Sequence, residues 1–157
     1  MKIDSSKLIP SLIFPFVVGF SGSFFTMGNT QSFFNILNKP PLTPPGWLFG
    51  PAWTVLYLMI GLALYTFWNS KKPAKLKKTG YLFFLLQLLA NFLWSLLFFG
   101  MRSPLAGMIN ISILLILIVI NILLFWRVNK TSGYLLLPYL AWVAFASYLN
   151  MGVLLLN

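Results

Sequence analysis

The apolar residues of this chain form five long blocks, separated by short polar or proline-rich segments. The blocks cover residues 8–27, 47–68, 80–100, 104–126 and 133–156, and none contains Lys, Arg, Asp or Glu. About 20 helical residues cross the hydrocarbon core of a bilayer, and a helix satisfies its backbone hydrogen bonds internally. The pattern therefore predicts an all-α, integral membrane bundle of five transmembrane helices, with residues 1–157 forming a single domain.

The first block also has features of a signal peptide, because lysines precede it and small residues follow it. Its length and its internal Pro10 and Pro15 favour an uncleaved span. The connection 28–46 is the one long loop, with a predicted short helix at 30–37. Four prolines then follow in NKPPLTPPGW and favour a stiff, extended path. We interpret this loop as a lid over the mouth of the bundle, with a plain connector as the alternative.

Composition narrows the chemistry that this bundle can perform. Only 8% of the residues are charged, against about 25% in ordinary globular proteins. The sequence has no Cys and no His, and Asp4 is its one acidic residue. Disulfides, Cys/His zinc sites and catalytic carboxylate pairs are therefore excluded, and we expect no metal and no cofactor. An ion-coupled transporter normally needs ionisable groups within the membrane, and the blocks hold no such acidic or basic group.

The net charge of +10 predicts orientation in a membrane rather than binding to nucleic acid. With five spans, the N-terminus, the second loop and the fourth loop share one side. That side carries nine cations: Lys2, Lys7, Lys71, Lys72, Lys75, Lys77, Lys78, Arg127 and Lys130. The other side carries Lys39 and Arg102. Positive loops stay in the cytoplasm, so we expect the N-terminus inside, the C-terminus outside, and membrane lipid as a partner.

Polar and aromatic residues recur at helical spacing within four of the blocks. The sets are Trp53 with Tyr57, Gln87 with Asn91, Trp94 and Ser95, Asn110 with Asn121, and Trp142 with Ala146 and Asn150. Polar groups avoid lipid, so these faces should point into the bundle. They either form hydrogen bonds between helices or line a cavity with aromatic walls, which suits a flat, mostly apolar ligand.

Three separated segments resemble one known family. They are KPPLTPPGWLFGPAWTVLYLMIGLALY, NFLWSLLFFG and LLLPYLAWVAFASYLN, which resemble the signature stretch, the third-helix motif and the fifth-helix motif of the tryptophan-rich sensory protein/translocator protein (TspO/MBR) family. The resemblance covers essentially the whole chain. It implies a five-helix membrane bundle, often a homodimer, that binds porphyrins such as protoporphyrin IX. Its bacterial members imply a prokaryotic cell membrane and a link to tetrapyrrole or stress regulation.

The resemblance also implies site residues, which we combine with the polar stripes. Trp53 and Trp142 match two tryptophans implicated in light-dependent porphyrin degradation. Phe33 and Phe34 stand where many members have a Trp-Tyr pair, and Asn110 stands where some carry an acidic residue. The predicted ligand-binding residues are Phe34, Trp53, Tyr57, Gln87, Asn91, Trp94, Ser95, Asn110, Trp142 and Ala146.

Three hypotheses for the function follow. The first is a receptor or sensor in which a porphyrin stacks on Trp53 and Trp142, with Lys39 or Arg102 pairing with its carboxylates. The second is an enzyme that degrades the porphyrin in light, with the same two tryptophans as catalytic residues. The third is a transporter of tetrapyrroles or other amphiphiles.

Overall fold

The computed structural model describes residues 4–26 and 29–157, and only the backbone of 29–32. Lys2, the predicted end of the first span at Met27 and the predicted start of the first loop at Gly28 lie outside the described residues. Within them, all regular secondary structure is helical: α1 (Ser5–Ser23), α2 (Asn29–Ile36), α3 (Gly46–Trp68), α4 (Ala74–Ser95), α5 (Pro104–Val128), α6 (Lys130–Tyr134) and α7 (Leu137–Leu156).

Five helices are long and apolar enough to cross a membrane, which confirms the predicted all-α class and the count of five spans. They are Ser5–Ser23, Gly46–Trp68, Ala74–Gly100, Pro104–Val128 and Lys130–Leu156. The last of these joins α6 to α7 across a short break. The short helix α2 overlaps the one predicted in the first loop. We use "first loop" from here on for residues 37–45, between α2 and α3.

The start of α5 and the end of α4 have distinct hydrogen-bond patterns. Ser103 accepts a hydrogen bond at its side chain from the Ala106 N–H (3.2 Å), and Pro104 occupies the first helical position, so α5 begins there. The last turn of α4 widens into a π-helical segment, Leu96–Gly100, closed by a bond of 2.8 Å from the Met101 N–H to the Leu96 carbonyl. Such π-helical turns rotate the side chains that follow and are frequent at functional sites.

The bundle is packed at one end and hollow at the other. Along the bundle, α1 contacts α3 and α4, and α5 contacts α4 and α7. The packed end contains three stacked rings. The ring of Phe125 lies parallel to those of Phe67 (centroids 3.9 Å apart) and Phe84 (5.8 Å apart), and all three are buried. Stacked, close-packed aromatic rings of this kind carry much of the packing energy of a core. This end lies beside the lysine-rich second loop, and the opposite end lies beneath the first loop.

Candidate functional site

A cavity of about 780 Å³ occupies the hollow end of the bundle. It lies between α1, α3, the end of α4 and α7, with part of the first loop across it. Its lining comprises Phe16, Gly19, Phe20, Ser23 and Thr26 near α1, Phe34, Lys39, Pro40 and Thr43 in α2 and the first loop, Gly46, Phe49, Gly50, Trp53, Thr54 and Tyr57 on α3, Trp94, Ser95, Phe98 and Phe99 around the π-helical segment, and Ala146, Leu149, Asn150 and Val153 on α7. The size falls within the range of small-molecule sites, about 300–1,000 Å³.

Aromatic rings form much of the wall. The indole of Trp53 stacks on the ring of Tyr57, with centroids 5.3 Å apart and planes 25° apart. On the facing wall, Trp94 stacks on Phe98, with centroids 5.4 Å apart. Because the π-helical segment follows Ser95 directly, it places Phe98 and Phe99 on the same wall as Trp94. Broad apolar rings with few polar groups favour a flat, apolar ligand.

A buried amide supports this wall from behind. The Tyr57 hydroxyl donates to Oδ1 of Asn91 (2.8 Å), and Nδ2 of Asn91 donates to the Tyr139 hydroxyl (3.2 Å). Asn91 is 4% exposed and Tyr139 is fully buried, so neither reaches the cavity. This network holds the Tyr57 ring beneath Trp53 and thereby fixes the orientation of the indole.

A second amide ties the facing wall to α5. The indole N–H of Trp94 donates to Oδ1 of Asn150 (3.1 Å), and Nδ2 of Asn150 donates to the Pro104 carbonyl (2.8 Å). Both polar ends of Asn150 are therefore used. Because Pro104 begins α5, the bond joins α7 to the start of α5 beside the cavity.

The first loop is anchored to the end of α7. The Asn38 N–H donates to Oδ1 of Asn157 (3.0 Å), and Nδ2 of Asn157 donates to the Asn38 carbonyl (3.0 Å). Tyr148 donates from its hydroxyl to the Pro41 carbonyl (3.0 Å). Pro40 is buried against Gly152, where an added Cβ would lie 2.5 Å from two ring carbons of the proline. These contacts hold the loop across the mouth of the cavity.

The structure brings six of the ten predicted ligand-binding residues together on the cavity wall. They are Phe34, Trp53, Tyr57, Trp94, Ser95 and Ala146. The other four, Gln87, Asn91, Asn110 and Trp142, are not part of the lining. Asn91 contacts a wall residue through the hydrogen bond from Tyr57 described above.

The remaining three lie within the helix packing. Asn110 donates to the Ala90 carbonyl (2.7 Å) and joins α5 to α4. Gln87 is 1% exposed, and neither polar atom of its amide has a hydrogen-bond partner among the described residues. Trp142 packs its ring against the wall residue Phe49 (centroids 6.0 Å apart) but is not itself part of the lining.

The sequence interpretation missed the contribution of α1 and of the first turns of α3. Phe16, Gly19 and Phe20 carry no polar stripe, so nothing in the pattern distinguished them from lipid-facing residues. For α3, the sequence pattern could have identified the missed residues. Phe49 and Gly50 precede Trp53 by about one helical turn, so they lie on the same helix face. No group of three or more acidic, His or Cys side chains occurs among the described residues.

Comparison with known proteins agrees with this architecture. The model of the TspO/MBR family matches residues 11–156. The chain is 46% identical to "Tryptophan-rich protein TspO" of Archaeoglobus fulgidus over 153 residues, covering 96% of this chain and 97% of the relative. It is also 46% identical to the protein of that name from Chlorobaculum tepidum, covering 89% of each chain. Identity to the "Translocator protein" of Bos taurus is 32%, covering 88% of this chain and 82% of that protein.

The match to the family model spans nearly the whole bundle, including the three motifs that surround the cavity. The relatives are likewise matched over most of their length. The chain is an integral, multi-pass membrane protein and belongs to the TspO/MBR family.

Proposed function

We propose that this protein is a membrane receptor or sensor that binds a porphyrin, such as protoporphyrin IX, in the cavity beneath the first loop. The observation that carries the proposal is the stack of Trp53 on Tyr57, which presents a broad indole face to a space of about 780 Å³. A planar macrocycle gains both apolar burial and ring stacking from such a wall. A further ring, Phe49, lines the same space.

The chemistry of the wall favours binding over catalysis. No carboxylate, imidazole or thiol is found on the described lining, and the sequence supplies only Asp4 as an acid. A binding site, in contrast, needs only shape, apolar surface and a few polar groups. The absence of His and Cys from the sequence also suits a metal-free porphyrin better than haem, whose iron requires an axial ligand.

The orientation in the membrane belongs to the same proposal. We place the lysine-rich second loop in the cytoplasm of a prokaryotic cell and the first loop, with the mouth of the cavity, outside. Because the chain has no cysteine, single cysteines at Leu42 and Lys71 can report on the two sides. A membrane-impermeant thiol reagent should label Leu42→Cys but not Lys71→Cys in intact cells, and the reverse result would invert the orientation.

Ligand binding can be tested by titrating protoporphyrin IX into the protein in lipid nanodiscs. The absorption band of the porphyrin should shift saturably, and empty nanodiscs correct for partition into lipid. Trp53→Phe should weaken binding about two- to tenfold, since ring stacking contributes about 0.5–1.5 kcal/mol. Trp47→Phe is the matched control, because Trp47 begins the same helix but is 73% exposed and does not line the cavity.

The comparison of the two variants decides the assignment. A saturable shift that Trp53→Phe weakens and Trp47→Phe leaves unchanged supports binding in this cavity. If no saturable shift occurs, or if both substitutions have equal effects, the proposed site is rejected.

A further inference from the structure

We propose that Lys39 recognises a carboxylate of the ligand, so that the site selects flat apolar molecules with an acidic edge and holds that edge toward the first loop. The inference rests on the proposed function, because it assumes that the cavity takes a flat apolar ligand. It adds the direction of that ligand in the cavity and the residue that distinguishes an acid from a neutral analogue.

Lys39 brings the one charge to the described cavity wall. Its ammonium lies 4.5 Å from the centroid of the Phe34 ring, which also lines the cavity. It forms no salt bridge with the described residues. The only carboxylate side chain in the sequence, that of Asp4, lies 3.0 Å from the ammonium of Lys7.

The protein therefore provides no side-chain anion for Lys39. Lys39 is exposed, so water solvates its ammonium, and the Phe34 ring attracts it only weakly. The ammonium can therefore pair with an anion that enters the mouth of the cavity. A charge beside apolar, low-dielectric surroundings interacts strongly with an opposite charge that enters them. A carboxylate on a bound ligand would supply that opposite charge.

The backbone on both sides of Lys39 is held in place. Asn38, just before it, forms the two hydrogen bonds with Asn157 described above. Pro40, just after it, is buried against Gly152. The backbone of the lysine is therefore held at the mouth before any ligand arrives, which lowers part of the entropic cost of binding.

The other cation on this side does not compete for the role. Arg102 lies between the π-helical segment and α5; both cations are exposed, but only Lys39 is part of the cavity lining. The aromatic stack of Trp53 and Tyr57 lies on α3, whereas Lys39 lies in the loop across the mouth. A ligand with an apolar body and an acidic edge can satisfy both features only with the acid directed toward Lys39.

The test uses two probes of nearly the same shape, protoporphyrin IX and its neutral dimethyl ester. Their affinities are measured in nanodiscs of zwitterionic lipid for the unaltered protein, Lys39→Met, Lys39→Arg and Arg102→Met. Methionine keeps an unbranched side chain over Phe34 but removes the charge. Arg102→Met removes a charge from the same side of the membrane without changing the cavity.

We expect Lys39→Met to weaken binding of the free acid about two- to fivefold, the effect of losing one ion pair at an exposed site. Its affinity for the dimethyl ester should stay unchanged. Lys39→Arg should keep most of the affinity for the acid, and Arg102→Met should change neither affinity.

Other outcomes overturn the proposal in distinguishable ways. Equal loss of acid and ester binding in Lys39→Met would show that Lys39 only supports the loop. No loss with either probe would show that the charge is not used. If the unaltered protein binds neither probe, the proposed function itself fails, whereas saturable binding without discrimination would reject only the role of Lys39.

Discussion

Replacing Asn91 by leucine should destabilise the bundle, because this buried amide joins two tyrosine hydroxyls on different helices. It accepts from Tyr57 on α3 (2.8 Å) and donates to Tyr139 on α7 (3.2 Å). Leucine has a similar volume but can do neither. Both hydroxyls would then lose their partner, and the ring that supports Trp53 would lose its hydrogen bond.

The expected loss in the free energy of unfolding depends on the surroundings of each hydroxyl. Tyr57 lines the cavity, so its hydroxyl can find water, and its loss should be close to the average for a bond between membrane helices, about 0.6 kcal/mol. Tyr139 is fully buried, so its hydroxyl would stay unpaired, at a cost of about 1–3 kcal/mol. The free energy of unfolding should therefore fall by about 2–4 kcal/mol.

The assay is reversible unfolding in mixed lipid and detergent micelles, followed by helical circular dichroism. The same substitution is also made in a Tyr139→Phe background, where no buried hydroxyl is left to lose its partner. There Asn91→Leu should cost only about 1 kcal/mol, because the coupled loss has been removed. If Asn91→Leu costs the same in both backgrounds, the hydrogen-bond network does not explain its effect.

Two further predictions concern glycines beside close neighbours. Gly80→Ala would place a Cβ 2.4 Å from Cζ of Phe67, which is buried within the aromatic stack and cannot retreat, so thermal unfolding should show a loss of about 1–3 kcal/mol. Gly50→Ala is its control, since an added Cβ there meets nothing within 4 Å, and it should be neutral or slightly stabilising; equal losses would contradict the packing argument. Gly152→Ala would press on Pro40 (2.5 Å), so hydrogen exchange should accelerate in the first loop while the helices keep their protection. Unchanged exchange there would mean that the loop does not depend on this contact.

Much of the fold could be predicted from the sequence because a bilayer imposes a length on each apolar block. Five blocks without ionic side chains gave five spanning helices. The π-helical segment at Leu96–Gly100 could not be predicted, since its sequence is as apolar as the turns before it. Its effect on the direction of Phe98 and Phe99 depends on a hydrogen-bond shift that no periodicity reveals.

The candidate site was predicted in part, because helical spacing identifies a face but not a depth. Gln87 and Asn91 do point inward, as their spacing indicated, yet they lie in the packing behind the wall. Trp142 shares the face of Ala146, but the ring of Phe49 from α3 packs against it, and contact between two helices is not encoded in the period of either. The sequence also could not show which of Lys39 and Arg102 lines the cavity, since this depends on the path of the first loop.

The unequal filling of the bundle has a consequence for how such a chain can change over evolutionary time. The rings of Phe67, Phe84 and Phe125 contribute to folding at the end away from the cavity. Substitutions of cavity-lining residues outside the hydrogen-bond networks of Asn91 and Asn150 therefore leave these core contacts in place. The chain can alter what it binds, one wall residue at a time, without first acquiring compensating stability elsewhere.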